Sequence, residues 1–278
     1  MAKQRLDTLI VDKNLCTSRA LAQRLIQAGE VMVNGAVVDK AGTEIDVNAE
    51  IKIKVRSRFV SRGGEKLMKA LEYFSINVEE RICLDAGIST GGFTDCLLQA
   101  GAKLVYGVDV GYGQVDWKLR NDPRVILRER TNIRHLKSTD LYKKSYLSNG
   151  EIEGDIADFI VVDVSFISVT KILAVLWQLS QEPREMVLLI KPQFEVGKNR
   201  VGKKGVVRDS NDHADAIYQV LEVANQVGWK YKGLTWSPIT GPAGNIEYLM
   251  WLGMESQILA PELAAIKHLT KSAVDELK

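Results

Sequence analysis

Residues 82–92 have the sequence Ile-Cys-Leu-Asp-Ala-Gly-Ile-Ser-Thr-Gly-Gly. The apolar residues 82–84 predict the end of a buried strand, which Asp85 closes. Three glycines follow within six residues, and glycine lets a backbone turn tightly and approach a ligand. Residues 93–99 predict a helix that Gly101 ends. A strand, a glycine-rich turn and a helix form the first unit of a nucleotide-binding α/β sheet.

The spacing of the glycines separates two classes of cofactor. A dinucleotide fingerprint requires G-x-G-x-x-G, and Ser89 replaces its second glycine. An acidic residue followed by G-x-S-x-G-G instead resembles motif I of S-adenosylmethionine (SAM) methyltransferases. A turn that binds nothing is the alternative, and the number of glycines favours a site. The resemblance implies SAM contacts from Asp85, Gly87, Ser89, Gly91, Gly92 and Phe93.

A second acidic residue, Asp109, ends the next predicted strand, 24 residues after Asp85. A carboxylate at this strand tip is placed to accept hydrogen bonds from both hydroxyls of a ribose. NAD and SAM sites share this feature, so Asp109 indicates adenosine in general, and a helix N-cap is the alternative. Beyond a third strand at residues 125–127, Asn132 either contacts adenine or forms a turn.

The bulk composition indicates an ordinary globular protein. The 278 residues are 46% apolar and 26% charged, which leaves room for one large and one small domain. Residues 1–60 contain 10 lysines and arginines against 7 acidic residues, a net charge of +3, which suggests an anionic partner.

The three cysteines and three histidines lack metal spacing, so we predict no metal. Without a signal segment or membrane span, the sequence predicts a cytoplasmic protein.

Residues 1–60 predict a small α+β domain. Residues 5–11 and 19–28 predict helices, the second capped by Thr17 or Ser18. Residues 31–38 predict a hairpin with an Asn-Gly turn. Alternating apolar and basic residues predict a strand that contains Ile51, Ile53 and Val55.

The spacing R-L-D-x-L-I-V…S-R-x-x-A-x-x-L-I-x-x-G-x-V-x-V-N-G…K-x-G resembles the S4 RNA-binding domain over about 50 residues. The resemblance implies that certain polar side chains face RNA phosphates, namely Arg5, Ser18, Arg19 and Arg24. A solvated charged helix is the alternative for any single arginine. The net positive charge and the hairpin favour RNA.

The remaining chain predicts a second domain at residues 61–278, after a linker at about 56–64. Its strands alternate with helices, which predicts a Rossmann-like, mostly parallel doubly wound sheet. We expect strands at residues 157–162 and 186–190 with a helix at 169–179 between them. The strand ends carry Asp85, Asp109, Asp163 and Lys191. Ligands bind at this edge of such sheets, and a buried charge is costly unless paired or used.

Four charged residues lie in specific contexts. They are Lys66 in S-R-G-G-x-K-L, Asp163 in V-V-D-V-S-F, Lys191 in L-I-K-P-Q-F-E and Glu247 in G-N-x-E-Y-L. They resemble, in order, the Lys-Asp-Lys-Glu tetrad of FtsJ/RrmJ-like ribose 2′-O-methyltransferases. With the S4-like part in front, nearly the whole chain resembles the TlyA (hemolysin A) family of rRNA methyltransferases. The resemblance implies SAM as cofactor and cytidines of 16S and/or 23S rRNA, in ribosomal subunits, as substrates.

The chemistry of ribose methylation assigns roles to these residues. A 2′-hydroxyl is a poor nucleophile until it loses its proton, and only a neutral lysine can accept that proton. We assign Lys191 as the base and Lys66 as the neighbouring cation that favours neutral Lys191 and stabilises the alkoxide. Asp163 would orient Lys191 and face the positively charged methyl group, and Glu247 would hold Lys66 or the ribose. Alignment of methyl and oxygen should supply much of the rate.

Residues 197–208 are rich in glycine and basic residues. Gly197, Gly202 and Lys203 fit the P-loop pattern G-x-x-x-x-G-K, but Lys204 replaces the Ser or Thr that binds Mg²⁺. We therefore predict a flexible basic loop that contacts RNA phosphates. Its predicted contacts are Lys198, Arg200, Lys203 and Lys204.

Three other functions compete with this hypothesis. A base-modifying methyltransferase should carry Pro-Cys or Asn/Asp-Pro-Pro-Tyr after the fourth strand, where residues 163–166 read Asp-Val-Ser-Phe. A non-catalytic ribosome-binding protein would have no need of the acidic and lysine positions. A membrane-lytic hemolysin should have a membrane span or a strongly amphipathic basic helix, and the sequence shows neither.

Overall fold

The computed structural model describes residues 2–53, 58–142, 145–146, 152–153 and 155–277. The chain divides into two compact units, Met1–Ser57 and Arg58–Lys278. Gly63 and Gly64, which we expected to end the linker, form the first turn of a helix instead. Phe59 packs against that turn, and a Cβ added at Gly64 would lie 2.1 Å from the Phe59 ring. Residues 58–60 therefore belong to the second unit.

The described part of the first unit contains two helices and five short strands. They are β1 (Lys3–Arg5), α1 (Leu6–Asp12), α2 (Arg19–Gln27), β2 (Val31–Val33), β3 (Ala36–Val37), β4 (Glu44–Asp46) and β5 (Ile51–Ile53). β1 pairs with β4, and a separate antiparallel sheet has the order β3-β2-β5. The Ser18 side chain caps α2, and Asn34-Gly35 forms the hairpin turn with positive φ angles, as expected.

Two strands of the first unit, β1 and β4, were not predicted from the sequence. β1 and β4 each have only three residues, which is too short for an alternating pattern to show. The expected strand near residue 53 is confirmed as β5, while Val55 lies outside the described residues. The apolar sides of α1, α2 and β2 form a core within this unit.

The second unit alternates strands and helices. Its strands are β6 (Ile82–Ala86), β7 (Leu104–Val108), β8 (Val125–Arg128), β9 (Ser145–Tyr146), β10 (Ile152–Glu153), β11 (Phe159–Val162), β12 (Glu185–Ile190), β13 (Lys230–Trp236) and β14 (Tyr248–Gly253). Its helices are α3 (Gly63–Tyr73), α4 (Gly92–Gln99), α5 (Trp117–Arg120), α6 (Ser138–Leu141), α7 (Leu173–Gln178), α8 (Pro192–Glu195), α9 (Ser210–Val227) and α10 (Leu263–Leu277). Short 3-10 turns cover Ile133–His135, Val169–Lys171, Lys198–Arg200 and Lys203–Gly205.

A seven-stranded sheet organises this unit, in the order β13-β14-β12-β11-β6-β7-β8. Neighbouring strands from β12 to β8 are parallel, and β14 is antiparallel to both β12 and β13. The predicted Rossmann-like, mostly parallel sheet is therefore confirmed. All residues of β11 are fully buried, as expected for a central strand that is covered on both faces.

Several element boundaries differ from prediction by one or two residues, and two differences change an interpretation. β6 continues through Asp85 to Ala86, because both residues pair with β7 and β11. Asp85 therefore lies inside the strand and does not close it. The single helix expected at residues 169–179 is a 3-10 turn followed by α7, because Ile172 interrupts it with a φ of −118°.

Candidate active site

The glycine turn after β6 lies at the carboxyl ends of three strands. The backbone N–H groups of Gly87 and Ile88 donate to the carbonyl of Val108, the last residue of β7. Gly87 has a φ of +93°, and a Cβ at this position would lie 2.6 Å from the carbonyl oxygen of Asp163. Only glycine fits this position, because the backbone beyond β11 leaves no space for a side chain.

Two adjoining cavities open beside this turn. The larger has a volume of about 360 Å³, and Asp109 and Asn132 line it. The smaller has a volume of about 200 Å³, and Lys66 lines it together with the first helical residues Gly92 and Phe93. Both cavities share Gly87, Ser89 and Asp163 as walls. The edge of the sheet that was expected to hold a ligand therefore carries a two-part cavity.

The ribose candidate Asp109 faces the larger cavity and is held by backbone groups. Its carboxylate accepts hydrogen bonds from the N–H of Ser89 at 2.9 Å and of Gly111 at 2.7 Å. Asn132 also lines this cavity, but its side-chain oxygen caps the following 3-10 turn by accepting from the N–H of Arg134. Asn132 therefore forms a turn, as one of the two alternatives predicted, and its contact with adenine stays a prediction.

Asp85 and Gly91 lie behind the cavity walls. Asp85 is fully buried, and one of its oxygens accepts a hydrogen bond from the Thr94 hydroxyl at 2.6 Å. Its other oxygen, Oδ1, has no hydrogen-bond partner among the described residues. Burial raises the pKa of Asp85 to about 7, with a further contribution from the nearby Asp163 carboxylate. Gly91 caps α4 with a φ of +98°.

The four residues of the tetrad form two buried ion pairs. Lys191 Nζ lies 2.6 Å from Asp163 Oδ1 and donates a hydrogen bond to Ser165 Oγ at 2.8 Å. Lys66 Nζ donates to Glu247 Oε2 at 2.5 Å. Both lysine side chains are at most a tenth exposed. Buried charges are stable only when they are paired, so each lysine depends on its carboxylate.

The sequence of the second unit matches one known family. The FtsJ-like methyltransferase family matches residues 59–254, a range that contains both ion pairs. The chain belongs to the FtsJ-like methyltransferase family. The S4 domain family matches residues 4–51, which lie in the first unit. The expected combination of an S4 domain and an FtsJ-like methyltransferase domain is thereby confirmed.

Relatives of this FtsJ-like methyltransferase share most of its length. A Mycobacterium tuberculosis protein named 16S/23S rRNA (cytidine-2′-O)-methyltransferase TlyA is 43% identical over 252 residues, 90% of each chain. A Bacillus subtilis candidate rRNA methyltransferase, YqxC, is 46% identical over 266 residues, 94% of this chain and 91% of the relative. A solved structure of a candidate hemolysin from Streptococcus thermophilus is 41% identical, with a TM-score of 0.72, and covers 99% of this chain and 97% of that one.

The S4 domain of this methyltransferase holds its arginines around one buried carboxylate. Asp7 is fully buried and accepts hydrogen bonds from Arg5, Arg19 and Gln23. The hydrogen bonds from Arg5 and these neighbours lower the pKa of Asp7 well below its usual range. Arg5 and Arg19 remain about half exposed, so both guanidinium groups are oriented and still accessible. Sequence analysis did not find the role of Asp7.

Two other RNA-contact candidates of the S4 domain lie on α2. The hydroxyl of Ser18 caps this helix by accepting from the N–H of Leu21 at 3.3 Å. Arg24 lies in the last turn of the same helix and is exposed. Ser18 therefore has a structural function, while Arg24 is accessible to a ligand.

The basic loop after α8 is attached to the body of the methyltransferase domain. The buried Asn245 side chain accepts from the N–H of Val207 at 2.9 Å and donates to the Gly205 carbonyl at 2.8 Å. Arg200 is engaged by Asp212 at 3.2 Å and Asp215 at 2.7 Å. The other three predicted contacts are exposed, namely Lys198, Lys203 and Lys204. The attachment through Asn245, two residues before Glu247, was not predicted.

Two further observations concern membrane spans and metal sites. None of the described helices is long and apolar enough to cross a membrane. Within the same described ranges, no three His, Cys, Asp or Glu side chains are grouped in a way that could hold a metal ion.

Proposed function

We propose that this FtsJ-like methyltransferase uses SAM to methylate the ribose 2′-hydroxyl of cytidines in ribosomal RNA. The observation that carries the proposal is the pair of buried lysine–carboxylate ion pairs beside the two-part cavity. Lys66, Lys191 and Glu247 are buried and Asp163 is 23% exposed, and a binding protein would gain little from these positions because burying a charge costs free energy. The name of the M. tuberculosis relative supplies the substrate, rRNA cytidine, which implies a cytoplasmic location with the ribosomes.

The larger cavity fits the adenosine part of SAM. Asp109 offers a carboxylate that is fixed by two backbone N–H groups, and Gly87 forms part of the cavity wall without a side chain that would narrow it. Asp85 Oδ1 has no hydrogen-bond partner among the described residues, but Asp85 is fully buried and lines neither cavity. SAM supplies an electrophilic methyl group when it is bound. Phe93, Gly92 and Ser89 would line the path toward the smaller cavity.

The smaller cavity is where we place the target ribose. Asp163 and Lys66 line it, and Lys191 contacts its wall through Asp163. In the proposed reaction Lys191 first releases its own proton to solvent, and its neutral Nζ then accepts the proton of the 2′-hydroxyl while Asp163 and Ser165 hold that nitrogen in place. Lys66 stabilises negative charge on the oxygen, and Glu247 fixes the position of Lys66. These fixed groups need not reorganise during the reaction, which is how enzymes stabilise developing charge.

Methyl transfer to separated ribosomal subunits tests this proposal. Subunits from cells that lack the enzyme would be incubated with radiolabelled SAM, and the labelled positions mapped by resistance to alkaline cleavage. We expect 2′-O-methylation of specific cytidines. Label in a nucleobase, or no label in either subunit, would contradict the proposal.

Asp109→Ala should weaken SAM binding by about 1–3 kcal/mol, because the ribose hydroxyls lose their acceptor in a partly buried site. Calorimetric titration of the full-length protein measures this change. Asp122→Ala is a suitable control, since Asp122 pairs with Arg124 on the protein surface outside the two cavities. Equal SAM affinity of Asp109→Ala and the natural protein would remove Asp109 from the cofactor site.

Deletion of residues 1–57 should leave SAM binding intact and abolish methylation of ribosomal subunits. The second unit contains both cavities and both ion pairs, so the cofactor site does not depend on the removed residues. The loss should follow from the missing RNA contacts of the S4 domain, whose contribution weakens with salt. Calorimetry and the subunit assay measure the two effects. Full activity of the truncated protein would show that the S4 domain is not needed for substrate binding.

A further inference from the structure

Residues 110–117, here called the rim loop, comprise the loop that follows Asp109 and the first residue of α5. Val110, Gly111 and Gln114 line the larger cavity. Further along, the N–H of Asp116 donates to the carbonyl of Thr90 at 3.1 Å, and Thr90 lines the smaller cavity. The rim loop therefore lies beside the cofactor cavity and also beside the place proposed for the target ribose.

The rim loop exposes three large apolar side chains. Val110 is 70% exposed, Tyr112 is 65% exposed and Trp117 is 77% exposed. Val110 lines the larger cavity, and Tyr112 and Trp117 follow it within seven residues, which is more exposed apolar surface in one short segment than single exposed residues provide. None of the three is required for the core of the second unit, so their exposure needs a reason outside folding.

Arg130 extends this surface with a stacked guanidinium group. The Arg130 guanidinium carbon lies 4.1 Å from the centre of the Tyr112 ring, and the backbone N–H of Arg130 donates to the Gly111 carbonyl at 2.9 Å. Arg130 has a φ of +53°, which is unfavourable for a residue with a side chain and is typically retained at functional sites. A guanidinium that is stacked on a ring presents a flat cationic face on its outer side.

The rim loop is held in place from below by Glu129. Its carboxylate accepts from the N–H of Gly113 at 2.7 Å and from both terminal nitrogens of Arg120 at 2.7 and 2.9 Å. A surface that is fixed before binding loses less conformational entropy when its partner arrives. The aromatic residues are therefore displayed on a preorganised support.

The charge around the rim loop indicates the chemistry of the partner. Residues 117–137 contain seven lysines and arginines against two acidic residues, a net charge of +5, whereas the whole chain has a net charge of +2. β8, at the centre of this segment, is an edge strand of the sheet. Proteins bind single-stranded nucleic acid with this combination of positive charge for phosphates and flat side chains for bases.

We propose that Tyr112, Trp117 and Arg130 form a second RNA-contact surface, on which unpaired bases of the rRNA substrate stack next to the target nucleotide. This inference rests on the proposed function and adds a substrate contact within the methyltransferase domain. The S4 domain would supply affinity for the rRNA as a whole, and the rim loop would hold the strand locally. The partner is a single strand, because stacking requires base faces that a duplex conceals.

Single substitutions in the full-length protein test the proposal. Tyr112→Ala and Trp117→Ala should each raise the Kd for unmethylated ribosomal subunits, and the KM for methylating them, by about 10-fold, the effect of losing one stacked base. Tyr112→Phe should retain the natural values, because it keeps the ring. SAM affinity should not change. Tyr73→Ala is the matched control, since Tyr73 is 59% exposed and lies under Lys69 at 5.2 Å but does not line either cavity.

Ultraviolet cross-linking identifies the partner directly. A peptide spanning residues 110–120 should be joined to rRNA, and a cross-link to a ribosomal protein instead would overturn the proposal. Tyr112→Ala and Trp117→Ala variants that bind subunits as Tyr73→Ala does, or that lose SAM affinity without losing subunit affinity, would also overturn it. Because subunit binding is measured separately from methyl transfer, an inactive natural protein would refute the proposed function while the binding comparison still decides the role of the rim loop.

Discussion

Lys191→Arg should lower the single-turnover rate of methylation by about 10²–10⁴-fold, the usual contribution of a general base. Arginine keeps the positive charge of lysine, but its guanidinium stays protonated and cannot accept the proton of the 2′-hydroxyl. The ion pair with Asp163 can persist in this variant, so the binding of SAM and of ribosomal subunits should remain. Rates measured with saturating subunits separate the chemical step from binding.

The position of Lys191 requires a control for folding. Its side chain is only 10% exposed and contacts both Asp163 and Ser165, so the larger arginine could disturb the site by its volume alone. Calorimetry with SAM and a thermal unfolding curve detect such damage. A variant with natural SAM affinity and a natural melting temperature, yet without methyl transfer, would assign the loss to the missing base.

Lys66→Arg is the matched comparison. Lys66 pairs with Glu247 in the same way that Lys191 pairs with Asp163, and arginine at this position keeps a cation near the smaller cavity. This variant should therefore retain part of its activity. If Lys66→Arg were inactive while Lys191→Arg remained active, the roles of the two lysines would be exchanged. Activity in both variants would mean that the ion pairs are not the catalytic centre.

The positions of Asp109, Asp163 and Lys191 followed from the sequence by one physical rule. Each residue comes directly after an apolar run, and parallel strands bring their carboxyl ends to one edge of the sheet. The structure confirms that these three residues follow β7, β11 and β12. Strand order was not needed for this inference, because every parallel order leaves the ends on the same side.

The burial of Lys66 could not be inferred in the same way. It lies on α3 just before the apolar stripe, so helical periodicity alone equally permits a solvent-facing lysine. Its burial depends on Glu247, which is 181 residues away in the sequence and belongs to the segment that leads into β14. Local patterns carry no information about a partner at that distance, and only the family resemblance connected the two residues.

The burial of Asp85 beneath α4 could have been predicted from the alternation of side chains along its strand. Side chains alternate between the faces of a strand, so Asp85 shares a face with Cys83 and opposes Leu84 and Ala86. In the structure Cys83 belongs to the apolar cluster that also contains residues of α4, and Thr94 of that helix donates to Asp85. The alternation therefore predicts a carboxylate beneath the helix, where it supports the turn from behind.

Asp7 of the S4 domain is, like Asp85, a buried carboxylate whose role was not predicted from the sequence. The resemblance to the S4 domain implied RNA contacts for Arg5 and Arg19, and both side chains are partly exposed, as the proposed contacts require. Their common partner was not recognised, because an acidic residue in an amphipathic helix is usually solvated. The buried Asp7 fixes both guanidinium groups, which would reduce the entropy lost on binding if these arginines contact RNA as proposed.

Gly87→Ala should lower the folding stability by about 1–2 kcal/mol through its backbone conformation and should weaken SAM binding by about 1–3 kcal/mol through a clash that reshapes the cavity. The φ of +93° places an L-residue in the unfavourable left-handed region, and the new Cβ would lie 2.6 Å from the Asp163 carbonyl oxygen. Relief of this clash would require movement of the turn or of the backbone beyond β11, and both form walls of the two cavities. The same movement should displace Asp163 from Lys191, so methyl transfer should fall at saturating SAM as well.

Gly244→Ala is the control that distinguishes the clash with Asp163 from the strain of a left-handed backbone conformation. Gly244 has nearly the same φ, +92°, but a Cβ added there meets no described atom within 4 Å. This variant should lose about 1–2 kcal/mol of folding stability from the left-handed conformation and keep its affinity for SAM. Calorimetry on both variants makes the comparison. If the two alanines changed SAM affinity equally, the close approach of Gly87 to Asp163 would not be what shapes the cofactor site.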